Sequence, residues 1–257
     1  MPRLTILEHR EIADNMMWLA FAAPDNLNYT PGQFLHIRVT DGNDHLLRRP
    51  ISLCKVQGTE QQAIAVAYRV GGKGTRLLAN KQVGESLDVL GPLGKGFKLH
   101  EGDQHALLIG GGIGVPPMVE LADQLTQKGV KVTSIVGFQS QNIAILIDDL
   151  KRYGDVLVAT NDGTLGIQGF VTDYMTDELL ATADRFYACG PTPMLRAVQA
   201  KMNGKVEGYL SLEERMGCGI GACMACVTSC VMADGTVGYK KVCKEGPVFP
   251  APEVVFE

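Results

Sequence analysis

Apolar and polar residues alternate in short runs along the first hundred positions, a pattern typical of half-buried β-strands. The alternation predicts six strands, over Thr5–Ile12, Met16–Ala23, Gln33–Thr40, Pro50–Val56, Ala63–Val70 and Ser86–Leu90. Turns are predicted at Pro24-Asp25-Asn26, Asp41-Gly42-Asn43 and Gly71-Gly72-Lys73-Gly74, and a short helix over Thr75–Asn80. Short, evenly spaced strands with frequent turns favour a small antiparallel β-barrel.

From about His105 the pattern changes to strands that alternate with helices. The predicted strands are Ala106–Ile109, Lys131–Phe138, Val156–Thr160 and Arg185–Cys189. The predicted helical segments are Val115–Lys128, Ile143–Tyr153, Gly169–Leu180 and Thr192–Met202. Such alternation implies a doubly wound parallel sheet, the α/β arrangement of nucleotide-binding domains.

The tail from Ser211 onward fits neither pattern. It is dense in Gly and Cys, with a predicted hairpin around Ala233-Asp234-Gly235. Few of its residues could build a core of their own, so we expect a bound centre to organise it. The chain therefore divides into a β-barrel domain (1–100), an α/β domain (101–210) and a small C-terminal domain (211–257).

The composition then narrows the class of protein. Of 257 residues, 46% are hydrophobic, which is enough for packed cores. The formal net charge of −4 argues against nucleic acid as main partner, because affinity for phosphate backbones comes from clustered Lys and Arg. No apolar run reaches the ~18 residues that cross a bilayer, and residues 1–5 lack the apolar stretch of a signal peptide. We expect a cytoplasmic protein that binds neither nucleic acid nor membrane.

Four late cysteines carry the strongest chemical signal. Cys218, Cys223 and Cys226, followed by Cys243, have the plant-type ferredoxin spacing for a 2Fe-2S cluster. Zinc is the rival metal, but structural zinc usually shows paired C-x2-C knuckles and only one is present. A non-catalytic adaptor stapled by zinc therefore stays open as an alternative. Cys230 falls outside the pattern and is predicted not to be a ligand.

A glycine-rich turn follows the first strand of the α/β part. Gly110-Gly111-Gly112-Ile113-Gly114-Val115-Pro116-Pro117 would let a pyrophosphate approach backbone N–H groups at a helix N-terminus. Alone, such a run also fits a plain tight turn, and Pro117 replaces the third glycine of the common fingerprint. Gln139-Ser140-Gln141 offers no cation for a 2′-phosphate after Phe138, which favours NAD over NADP.

A second anion-binding signal lies in the barrel part. Arg48 and Arg49 precede Pro50-Ile51-Ser52, and two adjacent guanidinium groups can neutralise a diphosphate. Without other context, an exposed basic strand end is the better explanation of the pair. Tyr68-Arg69-Val70 and Gly74-Thr75 would supply a second strand and a helix start for the same anion.

In this order the three blocks resemble the ferredoxin reductase-like flavoproteins. Arg49-Pro50-Ile51-Ser52 is similar to their flavin motif R-x-(Y/F/I)-(S/T), and Gly112–Pro117 to their nucleotide motif G-x-G-x-x-P. Cys189–Met194 is similar to the C-G-P-x-P-M loop near the nicotinamide. With SLEERMGCGIGACMAC at Ser211–Cys226, essentially the whole chain resembles the electron-transfer subunits of NAD-dependent dihydroorotate dehydrogenases.

This resemblance implies an oxidoreductase subunit that works as an electron relay. A separate FMN-containing catalytic subunit would oxidise dihydroorotate in pyrimidine (UMP) biosynthesis, and electrons would pass through the 2Fe-2S cluster and FAD to NAD+. Two copies of each subunit would form a heterotetramer. No catalytic residue is predicted here, since His9, His36, His45, His100 and His105 are scattered. The small subunit of a ferredoxin–NADP reductase or sulfide dehydrogenase is the alternative within this architecture.

The resemblance also implies residue roles. Arg49 would hold FAD phosphate and Ser52 would lie near the flavin ring, while Gly74 and Thr75 would bond the diphosphate. Cys189 and Gly190 would border the nicotinamide. The full predicted set is Arg49, Pro50, Ile51, Ser52, Ala67, Tyr68, Arg69, Gly74 and Thr75 for FAD; Gly112, Gly114, Pro117, Cys189 and Gly190 for NAD; and Cys218, Cys223, Cys226 and Cys243 for the cluster.

Overall fold

The computed structural model describes residues 3–24, 27–42, 46–57 and 62–256. Two predicted turns, at Asp25-Asn26 and at Asn43, and one of the histidines, His45, lie outside the described residues.

Six antiparallel strands close the predicted barrel. They are β1 (Arg3–Ala13), β2 (Met16–Ala22), β3 (Phe34–Ile37), β4 (Arg49–Gln57), β5 (Ala63–Arg69) and β6 (Ser86–Leu93), joined in the order β1-β2-β5-β4-β3-β6. The helix α1 (Lys73–Ala79) lies between β5 and β6. Successive side chains of β5 lie on opposite faces of the strand. Ile64 and Val66 point into the barrel, whereas Ala65 and Ala67 pack outward. The predicted barrel is confirmed.

The second layer is a seven-stranded sheet, in the order β10-β9-β8-β7-β11-β12-β15. Its strands are β7 (His105–Gly111), β8 (Lys131–Phe138), β9 (Asp155–Thr160), β10 (Ile167–Gln168), β11 (Arg185–Cys189), β12 (Glu207–Ser211) and β15 (Val248–Pro250). All neighbours are parallel except β12 and β15. The strand order reverses between β7 and β11, so the ligand crevice of such a sheet lies at their carboxyl ends.

The longest helix of this layer joins it to the barrel. The helices are α2 (Pro116–Gln127), α3 (Ile147–Lys151), α4 (Asp177–Leu180) and α5 (Thr192–Met202). Met118, Leu121 and Leu125 of α2 share one apolar cluster with Trp18 of β2 and Ala67 of β5. The outer face of the barrel and the sheet thus bury a common core around α2. Among the described residues, no helix has the length and hydropathy needed to span a membrane.

Two predicted helices are wrong in extent. In the segment predicted as Ile143–Tyr153, α-helix covers only Ile147–Lys151, because Leu146 adopts a left-handed conformation with φ of 59°. In Gly169–Leu180, a 3-10 turn at Val171–Tyr174 precedes α4, which starts afresh where the Thr176 hydroxyl accepts the Leu179 N–H. These helical segments are interrupted by local backbone geometry that periodicity does not record.

The tail also contributes to the core of the main sheet, which its sequence pattern does not predict. Its hairpin, β13 (Val227–Val231) and β14 (Val237–Lys241), forms as predicted, but β15 adds an antiparallel strand to the main sheet. Phe249 is 1% exposed and packs in one cluster with Phe186 and Leu210. Val248 and Phe249 form an apolar pair between Pro247 and Pro250, which is too short for the sequence to show a strand pattern.

Phe249→Ala tests whether the tail stabilises the sheet. We expect the free energy of unfolding to fall by about 3–5 kcal/mol, because a fully buried ring would leave a cavity. Urea denaturation followed by circular dichroism measures the change. Phe170→Ala is the control, since Phe170 is 65% exposed and its removal should change stability little. Equal effects of the two substitutions would contradict the packing described here.

Candidate cofactor sites

Arg49, Gly74 and Thr75 meet where β4 begins and α1 starts. The guanidinium of Arg49 lies so close over Gly74 that a methyl group on Gly74 would be 2.3 Å from its nitrogen atoms. The Thr75 hydroxyl accepts the N–H groups of Gly71 and Gly72, each at 3.1 Å. This threonine therefore shapes the turn, and a fixed cation stands beside the start of a helix. The arrangement is a cradle that fits an anionic diphosphate.

The two adjacent arginines have different tasks. Arg48 forms an ion pair with Asp88, with 2.6 Å between its Nη2 and the carboxylate, and also donates to the Asp88 carbonyl at 2.9 Å. Both side chains are largely buried, at 13% and 16% exposure. Arg49 instead bonds the carbonyl of Leu47 and extends over α1. Arg48 thus belongs to the barrel, and Arg49 is the arginine offered to the cradle.

The other predicted flavin residues follow the alternation of their strands. Ser52 is half-buried and pairs with Phe34 of β3, just after Pro50 and Ile51 on β4. Tyr68 points into the barrel, where its hydroxyl lies 2.9 Å from Nε2 of His9. Burial raises the pKa of Tyr68. The Tyr68 side chain therefore contacts protein within the barrel.

The neighbours of Tyr68 on β5 face elsewhere. Ala67 packs on the outer face of the barrel against the core around α2. Arg69 is exposed, and its Nε would lie 3.8 Å from a methyl group on Gly71, in the turn before α1. Arg69 thus stands close to the cradle, whereas Ala67 and Tyr68 lie on opposite faces of their strand.

The glycine-rich turn and the Cys189 loop are in contact at the carboxyl ends of β7 and β11. A methyl group on Gly114 would lie 2.2 Å from the Cys189 carbonyl oxygen, so only glycine fits there. Gly112 has φ of +53° and open space around its Cα. Pro117 occupies the second position of α2. The structure brings the predicted NAD residues together at the reversal point of the sheet, with room above Gly112 for a phosphate.

Cys189 and a residue absent from our predictions, Glu213, lie on this same edge. Burial raises the pKa of the Cys189 thiol to about 12, although a hydrogen bond from Ser211 opposes this shift, so the thiol stays protonated. Glu213 follows the end of β12, and its charge reaches Cys189. Part of the Glu213 side chain reaches the surface, but protein atoms surround its carboxyl group. The loss of water around the carboxyl raises its pKa. An acidic residue two positions after a parallel strand was the available signal.

The four late cysteines form two pairs. The sulfur atoms of Cys218 and Cys223 lie 3.4 Å apart, too far for a disulfide and close to the ~3.7 Å that tetrahedral thiolate ligation implies. The Cys226 sulfur accepts the Cys243 N–H at 3.4 Å, and the two thiols are hydrogen-bonded. Across the described residues, no three Cys, His, Asp or Glu side chains surround one point. Two separate pairs fit a two-iron centre better than one zinc ion.

Backbone amides support this cluster loop. The Gly221 N–H donates to the Cys243 sulfur at 3.2 Å, and the Cys223 N–H to the Cys218 sulfur at 3.4 Å. Burial works against ionisation of Cys218, but the N–H groups of Ile220, Ala222 and Cys223 outweigh it and lower its pKa to about 6. Such amides suit the negative charge of thiolates and sulfides. Cys230 lies on β13 with 0% exposure, and its role as a non-ligand stays a prediction.

A buried histidine joins the cluster loop to the barrel. His36 of β3 is 0% exposed, and a methyl group on Gly219 would lie 2.2 Å from its Nδ1. Burial, then the Arg48 charge, lowers the pKa of His36 to about 4. Within the described part of the chain neither ring nitrogen has a well-formed hydrogen bond, although the backbone of Arg48 and of Cys218 lies nearby. The loop that carries Cys218 therefore packs directly on the strand beside β4.

Three protein families match successive parts of the chain. The oxidoreductase FAD-binding domain matches residues 3–97 and the oxidoreductase NAD-binding domain residues 108–200. The iron-sulfur cluster binding domain of dihydroorotate dehydrogenase B matches residues 213–255. These matches confirm the predictions of FAD, NAD and an iron–sulfur cluster, and they set the zinc-stapled adaptor aside.

Whole-chain relatives carry one description, "Dihydroorotate dehydrogenase B (NAD(+)), electron transfer subunit". The protein of Geobacillus sp. (strain WCH70) is 48% identical over 257 residues, covering 98% of both chains. That of Bacillus cereus (strain B4264) is 48% identical and covers 98% of this chain and 97% of its own. This chain belongs to the family of dihydroorotate dehydrogenase B electron transfer subunits.

Solved structures agree with this family at the level of the fold. A chain of an NADH-dependent reduced ferredoxin–NADP oxidoreductase has a TM-score of 0.86 at 28% identity, over 99% of this chain and 90% of that one. A ferredoxin NADP+ reductase from Neisseria gonorrhoeae has a TM-score of 0.67 at 16% identity, over 80% and 92%. The predicted fold class, a flavin barrel followed by a nucleotide sheet, is confirmed for this electron transfer subunit.

Cys243→Ala and Cys230→Ala separate ligand from neighbour. Both cysteines are buried, at 2% and 0% exposure, so the substitutions cost similar packing. We expect Cys243→Ala to lose most iron and acid-labile sulfide, because one iron would lack a thiolate, while Cys230→Ala keeps both. Metal and sulfide analysis and the electron paramagnetic resonance signal of the reduced chain measure this. Equal iron contents in the two variants would contradict the assignment.

Proposed function

We propose that this subunit carries electrons from an FMN-containing subunit that oxidises dihydroorotate, through a 2Fe-2S cluster and FAD, to NAD+. When bound, cluster and flavin together convert between one-electron steps and the two-electron step of nicotinamide. The contact of His36 with Gly219 carries the proposal, because it sets the cluster loop against the barrel strand next to the flavin motif. The reversal point at β7 and β11, where NAD+ would bind, is the other end of the proposed electron path.

The residues divide the work as follows. Arg49 and the backbone of Gly74 and Thr75 hold the FAD diphosphate, with Arg69 at the edge of this cradle. Ser52 lies toward the ring, and Pro50 and Ile51 hold it there on β4; Ala67 and Tyr68 contribute through their strand. Gly112, Gly114 and Pro117 receive the NAD pyrophosphate, Cys189 and Gly190 border the nicotinamide, and Cys218, Cys223, Cys226 and Cys243 bind the irons.

The three parts are functional units rather than separate folding units. We assign FAD to residues 1–100, NAD to 101–210 and the cluster to 211–257. β15 belongs to the third part by sequence but pairs with β12 of the second, which ties the cluster part to the nucleotide sheet.

The catalytic partner docks at the cluster in this proposal. Ile220 and Met224 of the cluster loop are 58% and 63% exposed, and apolar side chains around a redox centre suit a protein contact. Two such subunits and two catalytic subunits would form a heterotetramer in the cytoplasm. The name "electron transfer subunit" of the relatives supports the need for a partner.

A ferredoxin–NADP reductase-type small subunit is the second candidate. The similarity to the NADH-dependent reduced ferredoxin–NADP oxidoreductase chain over 99% of this chain supports it. The 48% identity to dihydroorotate dehydrogenase B subunits favours the first candidate. Dependence on dihydroorotate or on ferredoxin distinguishes the two.

The full chain with bound FAD and cluster should reduce a dye with NADH but leave dihydroorotate unoxidised. Addition of the FMN-containing catalytic subunit should restore NAD+ reduction by dihydroorotate, because only the partner supplies a site for that substrate. Absorbance at the NADH band measures both reactions. Dihydroorotate turnover by the chain alone, or none with the partner, would overturn the proposed function.

Arg49→Ala should weaken FAD binding by about 10- to 100-fold, because hydrogen bonds to charged groups contribute ~1.5–3 kcal/mol each. Titration of the FAD-free chain with FAD, followed by flavin fluorescence, measures the affinity. Arg10→Ala is the control, since Arg10 lies exposed on β1 and pairs with Glu8. Unchanged FAD affinity in Arg49→Ala would remove Arg49 from the cradle.

Met224→Asp should weaken partner binding by about tenfold or more, because a charge would replace an apolar contact at the interface centre. Val83→Asp serves as the matched control, with Val83 60% exposed in the turn before β6. Sedimentation velocity or light scattering of the mixed subunits compares the complexes. If Val83→Asp impairs assembly and Met224→Asp does not, the docking face lies elsewhere.

A further inference from the structure

A buried carboxylate connects the nucleotide layer to the flavin barrel. Glu120, one turn into α2, is only 3% exposed. Its Oε2 accepts the backbone N–H of Val56 on β4 at 2.9 Å. Its Oε1 accepts the Tyr29 hydroxyl at 2.6 Å and the Gln124 amide at 3.1 Å. Two of these three donors belong to the barrel, so this carboxylate is a clamp between the layers.

The barrel strand needs this acceptor because β4 loses a neighbour. β3 pairs with β4 only from Arg49 to Ser52, and the last backbone bond between them runs from Leu53 N–H to the Gln33 carbonyl. Beyond that point, within the part of the chain that the structure describes, β4 pairs with β5 alone, and Val56 lies opposite Ile64. The Val56 N–H therefore points out of a free strand edge, and Glu120 supplies the acceptor that a neighbouring strand would otherwise provide.

The clamp lies close to both proposed cofactor segments. Glu120 follows Pro117 of the glycine-rich turn by three residues, about 4.5 Å along the helix axis. Val56 follows Ser52 of the flavin motif by four residues, about 13 Å along the strand. A shift of α2 relative to β4 would therefore move the nucleotide turn relative to the flavin strand.

We propose that Glu120 is a positioning residue for hydride transfer, which holds the nicotinamide site in register with the flavin site. This inference rests on the proposed function. Hydride transfer needs reacting atoms about 3–3.5 Å apart, and misplacement by 1 Å can slow a reaction about 10²-fold. Glu120 itself touches neither cofactor segment; it acts through α2 and β4.

Glu120→Ala should slow FAD reduction by NADH about 10²-fold in stopped-flow measurements of the full chain loaded with FAD and cluster. The dissociation constant for NADH and the FAD content should change little, because the binding residues remain. The charge-transfer absorbance of the NADH–flavin pair should weaken. Deuterium exchange of the cofactor-free chain supplies an independent readout, since the Val56 amide should exchange faster. Gln127→Ala, at an exposed position on the same helix, should leave all five quantities unchanged.

Glu120→Gln should recover much of the rate, since its carbonyl oxygen can still accept the Val56 N–H. Tyr29→Phe removes one of the three bonds and should slow FAD reduction less than Glu120→Ala. If Glu120→Ala does not fold, a wild-type rate in both remaining variants overturns the inference. A wild-type rate in folded Glu120→Ala overturns the inference too. So does a decrease in rate that is fully explained by a decrease in FAD content. If wild-type chain with bound FAD is not reduced by NADH, the proposed function itself fails.

Discussion

Backbone contact without a Cβ atom is the constraint on which the three sites depend. The Arg49 guanidinium lies over Gly74, the Cys189 carbonyl over Gly114, and the imidazole of His36 over Gly219. In each case a methyl group would lie 2.2–2.3 Å from the facing atoms. The Cys189 carbonyl and the buried His36 ring cannot move away, whereas the Arg49 guanidinium is the end of a flexible side chain and would be displaced from its place over α1. Glycine thus allows separate segments of chain to approach closely enough to share one redox pathway.

A common core then fixes these contacts relative to one another. α2 buries apolar side chains against both the parallel sheet and the outer face of the barrel. Domains joined by small polar contacts move relative to one another by default, whereas a large apolar interface holds them. The strand β15 attaches the tail in the same way, because it pairs with β12 and buries Phe249 in the core of the sheet. The flavin, nucleotide and cluster parts therefore form one packed body around two shared interfaces.

Sequence patterns predicted the elements whose signal is local. The barrel strands, α2, α5 and the hairpin all follow from periodicity and turn residues. The remaining features depend on contacts between residues that are far apart in the sequence. The ion pair with Asp88, forty residues away, assigns Arg48 to the barrel. The inward direction of Tyr68 depends on the register of β5 in the barrel. The hydrogen bond from Val56 to Glu120 depends on the free edge of β4.

The two cysteine pairs differ in their access to water. Cys226 and Cys243 are 0% and 2% exposed, whereas Cys218 and Cys223 are partly open. Dissolved oxygen and chelators therefore reach an iron held by the outer pair before one held by the inner pair. Damage to a cluster held by these four cysteines would therefore start at the iron bound by Cys218 and Cys223, and a protein surface seated over this loop would lengthen the lifetime of the cluster in air.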